Sequence, residues 1–530
     1  MDKEMFRTII SENQEYIGSI PLVERPLDLE EHGNYVFVGV RQAGKSYLLY
    51  QRVQQLLAEG KLLEDIVYVN FDDERLQGMA ATDLDLILQA YHSMYSGQPI
   101  FFFDEIQNVD GWANFARRLA NLKYRVYVTG SNAKMLSRDI ETVLGGRYLS
   151  VNVFPYSFNE YLTAVGVNIA GGWQYGRKAN ELQRHFRTYF EWGGFPELIH
   201  FREKRIWLNS LYNRIFFNDL IVRHKIKNED ALRLCVRRLA ESVMQPCSLN
   251  RLSNLVKSTG VPCSASTIME YVRYLQESCL LISLDNYASK FTEKETVKKH
   301  YFVDNGLLHL FINNPDTLLL ENLCAITLYK KYGSGIYYFN RNIEVDFYVP
   351  DEGLAVQASY RMSDESTLER ELKALVALNS LYPLKRAMIV TYEDEGVMER
   401  DGLKIEKLLK GGIMMSITYT RKGDYEIPDL AIPENKIQVE GKYAMMRLRY
   451  LKENKKFLYT TLLMSNQLPE HLMNIQEVAM ERVEQIVSEM KAKEKITEQM
   501  KQQDPMKWIG LMNNLKTSAE EIVANELIYA

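Results

Sequence analysis

The run YVFVGVRQAGKSYLLY, from Tyr35 to Tyr50, reads as a short apolar β-strand, a loop bounded by glycines and the opening turns of a helix. Gly39 and Gly44 enclose four residues and are followed by Lys45 and Ser46, which completes the pattern G-x-x-x-x-G-K-[ST]. Glycines let backbone N–H groups converge on phosphate oxygens, and the N-terminus of the following helix adds partial positive charge. Lys45 is placed to reach β- and γ-phosphates and Ser46 to offer a hydroxyl to Mg²⁺. With Gly39, Gly44 and Tyr47 they form the expected ATP-binding set.

Length and composition bound what surrounds this loop. At 530 residues and 61.7 kDa, the chain is too long for one core, and a typical domain of about 150 residues predicts three or four. A 46% hydrophobic share with 25% charged residues is ordinary for a globular protein. The net charge of −5 excludes a global basic field, so any nucleic-acid contact needs a local patch. Cys235, Cys247, Cys263, Cys279 and Cys324 lack C-x-x-C spacing and read as reduced thiols. No apolar run approaches 18 residues and MDKEMFRTII lacks a signal-like core. A cytoplasmic location without membrane contact is expected.

Further strands carry acids and small polar residues at their C-terminal tips, the ligand-facing edge of an open parallel sheet. DIVYVNFDDE ends in Asp72, Asp73 and Glu74, a metal-orienting cluster or a solvated strand end. PIFFFDEIQ, Pro99 to Gln107, ends a buried strand in Asp104 and Glu105. Asp104 is expected to hold Mg²⁺ and Glu105 to polarise the attacking water, because phosphoryl transfer needs a metal and an oriented nucleophile. RVYVTGSNAKML brings Thr129, Ser131 and Asn132 to a third tip, with Asn132 as a γ-phosphate sensor or a helix cap. Arg147, after Gly145 and Gly146, reads as an arginine finger in its own or a neighbouring subunit, or as a salt-bridge partner.

The stretches GVRQAGKS, FFFDEIQ, VTGSNAKMLS, GGRYLSVNVFPYSFNEYL and YFEWGGFPEL, in this order, resemble bacterial and archaeal AAA-type ATPases that carry a C-terminal domain of unknown function. The resemblance covers residues 1 to about 410. It implies an ATPase core, a helical and winged-helix middle and a nuclease-like C-terminal domain.

The middle reads accordingly. Residues 177–226 follow a helical pattern interrupted at Gly193-Gly194 and Pro196. SLNRLSNLVKSTGVPCSASTIMEYVRYLQESCLLISLDNY reads as helix, glycine turn at Gly260, a helix capped by Ser264 or Ser266, and a β run. Arg273 is the obvious base of that second helix, beside Glu270 and Glu277, so protein contact or scaffolding is favoured over DNA reading. KKHYFVDNGLLHLF then opens an α/β unit with Asp304 at a strand end. Glu321 on a helix, Asp346 on a hairpin strand and Gln357 on the next look like the PD-(D/E)XK nuclease arrangement, and Glu344, on the same strand face as Asp346, could share the metal or be, with it, a surface charge. The lysine of that pattern is replaced by Ser359, and a neutral amide stands at Gln357, so the domain reads as an inactive nuclease scaffold.

Beyond LLKGGIMM the style of the sequence changes. A short strand or extended arm with Pro428 and Pro433 precedes three amphipathic helical segments. This tail resembles the small TnpV proteins encoded by transposons, on the R-x-G-D-Y-x-I-P-x-L opening, the GKYAMMRLRYLKE helix and the ELIYA close. Met415 would start a free-standing protein of this kind, so a fusion made by a mobile element is expected. Arg447, Arg449, Lys452, Lys455 and Lys456 form its basic cluster, a solvated helix face or a phosphate contact.

The expected chain is thus α/β, with a P-loop parallel-sheet ATPase core over 1–160, a helical lid and winged helix over 161–285, a degenerate PD-(D/E)XK-like domain over 286–410 and an all-α TnpV-like tail over 411–530. ATP and Mg²⁺ are the expected cofactors, with catalytic Glu105, Lys45, Arg147 and Asn132 and metal ligands Ser46 and Asp104. Hydrolysis would drive the attached domains. The alternative is a slow nucleotide-regulated module that recruits DNA or a protein, and a homo-oligomer is left open.

Overall fold

The computed structural model describes residues 1–132, 142–167, 177–313, 315–360, 365–392, 396–409, 419–422, 425–428, 442–455, 468–493 and 505–529. Gly411-Gly412 and Met415 lie outside the described residues. Two compact units are present, one of 1–167 with 184–428 and one of 168–183 with 429–530.

The first unit begins with helix α1 (Lys3–Ile17) and a five-stranded sheet. Its strands are β1 (Asn34–Val38), β2 (Ile66–Asn70), β3 (Ile100–Asp104), β4 (Arg125–Gly130) and β5 (Tyr148–Asn152), all parallel in the order β2-β3-β4-β1-β5. Alternation along each strand sorts the core. Val36, Val38, Val67, Val69, Phe101, Phe103, Val126 and Val128 pack with Phe6, Ile9 and Ile10 of α1 and with helices α3 (Asp85–Met94) and α4 (Trp112–Asn121). On the other face Tyr127 stacks on Phe102 at 4.8 Å and on Tyr35 at 5.9 Å, and Arg52 of helix α2 (Lys45–Ala58) reaches the Tyr127 hydroxyl. Both faces are covered, so the strands are apolar throughout, as the phosphate-loop reading expects.

The middle is helical up to the helix Ala265–Glu277. Ser264 caps that helix by accepting from the Thr267 amide at 3.1 Å, one of the two serines foreseen. Tyr271 and Leu275 are buried, while Tyr274 is half-buried and stacks on His224. A three-stranded antiparallel sheet follows, ordered β6 (Cys247–Ser248), β8 (Val297–Phe302), β7 (Leu281–Asp285). The expected boundary at 285/286 falls between β7 and β8: KKHYF belongs to β8, which pairs antiparallel with β7. The expected boundary at 160/161 falls inside the helix Phe158–Ala164.

The next layer is a six-stranded mixed sheet, β13-β14-β12-β11-β10-β9, with β9 (Tyr337–Asn340), β10 (Glu344–Val349), β11 (Leu354–Ser359), β12 (Arg386–Thr391), β13 (Gly396–Arg400) and β14 (Leu403–Leu409). Leu372, Leu375 and Leu378 of the helix Glu365–Leu381 close its core with Val345, Ala355, Ile389 and Ile405. Tyr419–Lys422 and Tyr425–Pro428 form a hairpin where a short strand or extended arm was expected. The second unit holds the helices Lys442–Asn454, Leu468–Lys493 and Pro505–Val523, whose core includes Tyr443, Val483, Ile486, Val523 and Ile528. Arg447 is buried and donates to the Ile528 carbonyl at 2.8 Å, which removes it from the expected basic face, whereas Arg449 and Lys455 are exposed.

A buried polar joint ties the quoted motifs together. Gly194 of the EWGGFPEL stretch pairs with Tyr156, whose amide donates to the Gly194 carbonyl at 2.7 Å. A Cβ on Gly194 would sit 2.2 Å from the Tyr156 carbonyl oxygen, so close backbone approach requires glycine there. Asp304 receives the amides of Gly194 and Gly306, each at 2.8 Å. Burial pushes its carboxyl up to about 6, against those amide bonds. The folded value lies above the unfolded one, so Asp304's contribution to stability is complete below about pH 4 and is lost as pH rises through about 6. Asp304→Asn cannot titrate. Its deficit in thermal midpoint against the wild type should shrink between pH 4 and pH 7, as differential scanning fluorimetry at fixed ionic strength would measure.

Candidate nucleotide site

Val38 delivers the chain into the phosphate loop at the C-terminal edge of the first sheet, and Lys45 opens α2. Gly39 is demanded by packing, because a Cβ there would lie 1.9 Å from the Val153 carbonyl oxygen. Gly44 has φ +93°, a left-handed conformation that favours glycine and that turns the α2 N-terminus into the loop. Gln42 is also left-handed, at φ 61°.

The loop, the tips of β2 and β3 and the segment after Phe195 enclose a cavity of about 310 Å³. Gly44, Lys45, Ser46, Tyr47, Asp104 and Glu105 all line it. The Lys45 ammonium is buried, donates to the Gly39 and Val40 carbonyls at 3.1 and 3.2 Å, and lies 3.4 Å from Glu105 Oε1. Tyr47 leaves its ring exposed at the mouth and packs edge-on against Tyr50, which packs on Tyr68.

The two carboxylates occupy different environments. Asp104 is buried and accepts from the Tyr68 hydroxyl at 2.7 Å and from Thr129. Burial, then the adjacent Glu105, pushes its carboxyl above the ordinary range, against hydrogen bonds from Ser46, Thr129 and Tyr68. Burial also pushes Glu105 up. Lys45, Gln107, Arg41 and Ser131 outweigh it and hold that carboxyl below its usual range. Glu105 sits at φ 52°, a strained conformation for a residue with a side chain, and its amide donates to Thr129 Oγ1 at 2.9 Å. Such strain persists where surrounding structure fixes a side chain's aim. The Ser46 hydroxyl and the buried Asp104 carboxylate are hard oxygen donors in contact with each other, a pair whose chemistry suits Mg²⁺.

Thr129 and Ser131 reach this cluster from β4, with Gln107 spanning Glu105 and Ser131. Asn132 follows, half-buried, directly beyond the strand tip. Arg147 lies elsewhere. It precedes β5, whose first residue pairs with Asn34 at the start of β1, so it stands at the opposite end of the sheet from the loop. Its guanidinium donates to the Gly145 carbonyl at 3.0 Å and the side chain is exposed. This corrects a role for Arg147 in its own subunit: a parallel strand separates its two ends by about 17 Å.

Sequence reading missed several site residues. Arg41, inside the loop, makes a two-pronged pair with the buried Asp219, both contacts at 3.0 Å, and Asp219 also binds Arg223. An aspartate in the apolar run IFFNDLIV was the available signal, because a buried charge needs a partner. Arg25, in the segment before β1, donates to the Ala43 carbonyl at 3.1 Å, the Phe154 carbonyl at 3.0 Å and Glu160 Oε1 at 2.7 Å. Tyr68 was hidden among the apolar residues of its strand.

In the six-stranded sheet, Gln357 uses both ends of its amide on β10, accepting from the Asp346 amide and donating to the Glu344 carbonyl. Among the described residues, no three His, Cys, Asp or Glu side chains are gathered as metal ligands. No helix among them is long and apolar enough to cross a membrane.

Comparison with known proteins adds the following. Residues 31–162 match the model of an AAA domain, 183–318 that of a domain of unknown function (DUF8612), and 418–528 that of the transposon-encoded protein TnpV. The uncharacterized protein MJ1544 of Methanocaldococcus jannaschii is 30% identical over 410 residues, covering 74% of this chain and 90% of its own. An uncharacterized protein of Haemophilus influenzae is 28% identical over 381 residues, 70% of this chain and 92% of its own. Among solved structures, the Walker-type ATPase PABY2304 of Pyrococcus abyssi aligns at 14% identity over 58% of this chain and 95% of that one, with a TM-score of 0.34. Cdc6p of Pyrobaculum aerophilum aligns at 11% identity over 59% and 98%, with a TM-score of 0.23. The complete phosphate loop, the acid pair facing it and the extent of the match to the Methanocaldococcus protein lead to one conclusion: the chain belongs to that protein's family, as a P-loop AAA-type ATPase with a TnpV domain at its C-terminal end.

Proposed function

We propose that the protein binds ATP in the cavity at the phosphate loop and hydrolyses it, using the stroke to move the helical middle. The single observation that carries this is the meeting of Lys45, Ser46, Asp104 and Glu105 around one cavity at the α2 N-terminus. The loop amides would cradle the phosphates, and Lys45 would leave Glu105 for the β- and γ-phosphate oxygens. Ser46 and Asp104 would hold Mg²⁺, which when bound neutralises charge on the phosphates. Glu105, freed from Lys45, would orient the attacking water and take its proton, while Gln107 and Ser131 keep its carboxylate aimed and Thr129 holds its amide. Asn132 would then sense the γ-phosphate, and Arg147 would act on the site of a neighbouring subunit.

Transmission would run through Arg41. Its pair with Asp219 connects the phosphate loop to the Ile215–Val222 turn of the middle region. The helices and small antiparallel sheet between 229 and 302 support a winged-helix reading. Arg273 lies 3.7 Å from Glu277, which favours a protein client over DNA for that element. The layer containing Gln357 and Ser359 would serve as a nuclease-like scaffold without cleavage chemistry.

The second reading, a slow nucleotide-regulated switch, draws support from the Lys45–Glu105 pair, because a carboxylate held below its usual range is a weak base. Steady-state turnover with and without DNA or candidate proteins separates the two: stimulated turnover marks a motor, and tight ATP with negligible turnover marks a switch.

Lys45→Ala should lower turnover at least ~100-fold and weaken ATP binding, measured by phosphate release and fluorescent-nucleotide titration. Retained hydrolysis would sink the site assignment. Glu105→Gln should keep ATP binding within a few-fold while turnover falls ~100-fold or more. Asp219→Asn should leave Arg41 and Arg223 without their buried counter-charge, costing about 3 kcal/mol of stability. In hydrogen exchange, Ile215–Val222 should then stop responding to ATP; an unchanged response would exclude this route.

A further inference from the structure

The nuclease arrangement calls for a divalent cation held by acids from one helix and two strands, with a lysine beside it. The residues present do not fit that ion, and the reason is a side chain from a different sheet. Lys299, on β8 of the small antiparallel sheet, is fully buried and drives its ammonium among Glu321, Glu344 and Asp346. Nζ lies 3.0 Å from Asp346 Oδ1, 3.2 Å from Glu344 Oε1 and 3.3 Å from Glu321 Oε1. An ammonium is one compact charge with three donors; this one hydrogen-bonds Asp346 and Glu321 and is ion-paired with Glu344, so three carboxylate oxygens surround it at nearly equal range. Glu321 and Asp346 are the acids the nuclease pattern would assign to a metal, and Glu344 stands beside Asp346 on the same strand.

We propose that the Lys299 ammonium is a built-in cation occupying the divalent-metal position, so that this cluster is a closed metal site. The rest of the environment agrees. Tyr301 donates to Glu321 Oε1 at 2.7 Å, the Tyr338 ring lies 5.7 Å from Nζ, and Asp346 Oδ2 accepts the Ala358 amide at 3.1 Å. The carboxylates are thereby oriented toward one point. Oxygens at 3.0 to 3.3 Å from that point suit an ammonium, whereas Mg²⁺ or Mn²⁺ would draw them in to about 2.1 Å. Both cannot occupy it. Because Lys299 belongs to β8, the same contact pins the antiparallel sheet to the strand carrying Asp346, which gives the cluster a structural role once metal is excluded. This deepens the reading of the layer as a scaffold without cleavage chemistry and stands apart from the ATPase assignment.

The test is Mn²⁺ titration of the nucleotide-free full-length chain, followed by electron paramagnetic resonance of free Mn²⁺. Wild type and Asp346→Asn should bind equal numbers of ions, since any ion at Asp104 is common to both. Lys299→Ala should bind one more per chain, and Lys299→Ala with Asp346→Asn should lose it. Should Lys299→Ala prove too unstable to titrate, millimolar Mn²⁺ should raise its thermal midpoint by several degrees, an effect absent from the double variant. An Asp346-dependent ion in the wild type overturns the inference. So does a Lys299→Ala chain that neither gains an ion nor is stabilised by one. In that last case a wild type inert toward plasmid still leaves the scaffold reading standing, whereas Asp346-dependent nicking by the wild type would sink the scaffold reading itself.

Discussion

Arg25 holds the phosphate loop in place from outside it. Its guanidinium spans the Ala43 carbonyl of the loop, the Phe154 carbonyl after β5 and the Glu160 carboxylate. Glu160 also accepts the Ser157 amide at 2.6 Å, closing the first turn of the Phe158–Ala164 helix. Burial alone would push the Glu160 carboxyl up; Arg25, then Lys330, brings it below its usual range, so the charge stays on. Removing one member would leave buried charge uncompensated, and such loss costs about 3 to 5 kcal/mol. The loop is thus held from within by Lys45, on the Gly39 and Val40 carbonyls, and from outside by a residue that precedes β1 and an acid that follows β5.

The same economy recurs through the first unit. Arg41 is secured by Asp219, Gly194 by Asp304 and Lys299 by three acids, each pairing joining elements far apart in sequence. Arg25, through Ala43, and Arg41 both hold the phosphate loop, so two charged junctions tie it outward, one to the Phe158–Ala164 helix and one to the Ile215–Val222 turn. A π-helical turn at Ile215–Val222 places Asp219 on the inner face within an otherwise apolar run, and turns of this kind are frequent at functional positions.

Much of this was legible from residues alone where the chemistry is local. The G-x-x-x-x-G-K-S loop, the apolar strand ending in Asp104 and Glu105, and the glycine turn at Gly260 are contiguous patterns, and each lies where its pattern put it. Arg147 went the other way. Two glycines and an arginine before a strand carry no information about which end of the sheet they occupy; the parallel pairing of β5 with β1 sets that. For a related reason the residues near Asp285 do not show that β8 pairs back on β7, since β8 looks like the start of an α/β unit until its antiparallel partner is known. Ser359 stands where the expected pattern has lysine, and a cation beside Asp346 comes instead from Lys299, 60 positions before Ser359, where no spacing rule would look for it.

By itself the sequence determined the parallel-sheet class, the phosphate loop and the acids that face it, because glycine freedom, helix polarity and strand alternation act over a few residues. The tertiary structure decided which charges meet. Arg25 with Glu160, Arg41 with Asp219 and Lys299 with Asp346 are separated by 135, 178 and 47 positions. Long flexible cations can reach many acids, and only the packed arrangement of strands and helices selects one partner and makes it costly to lose.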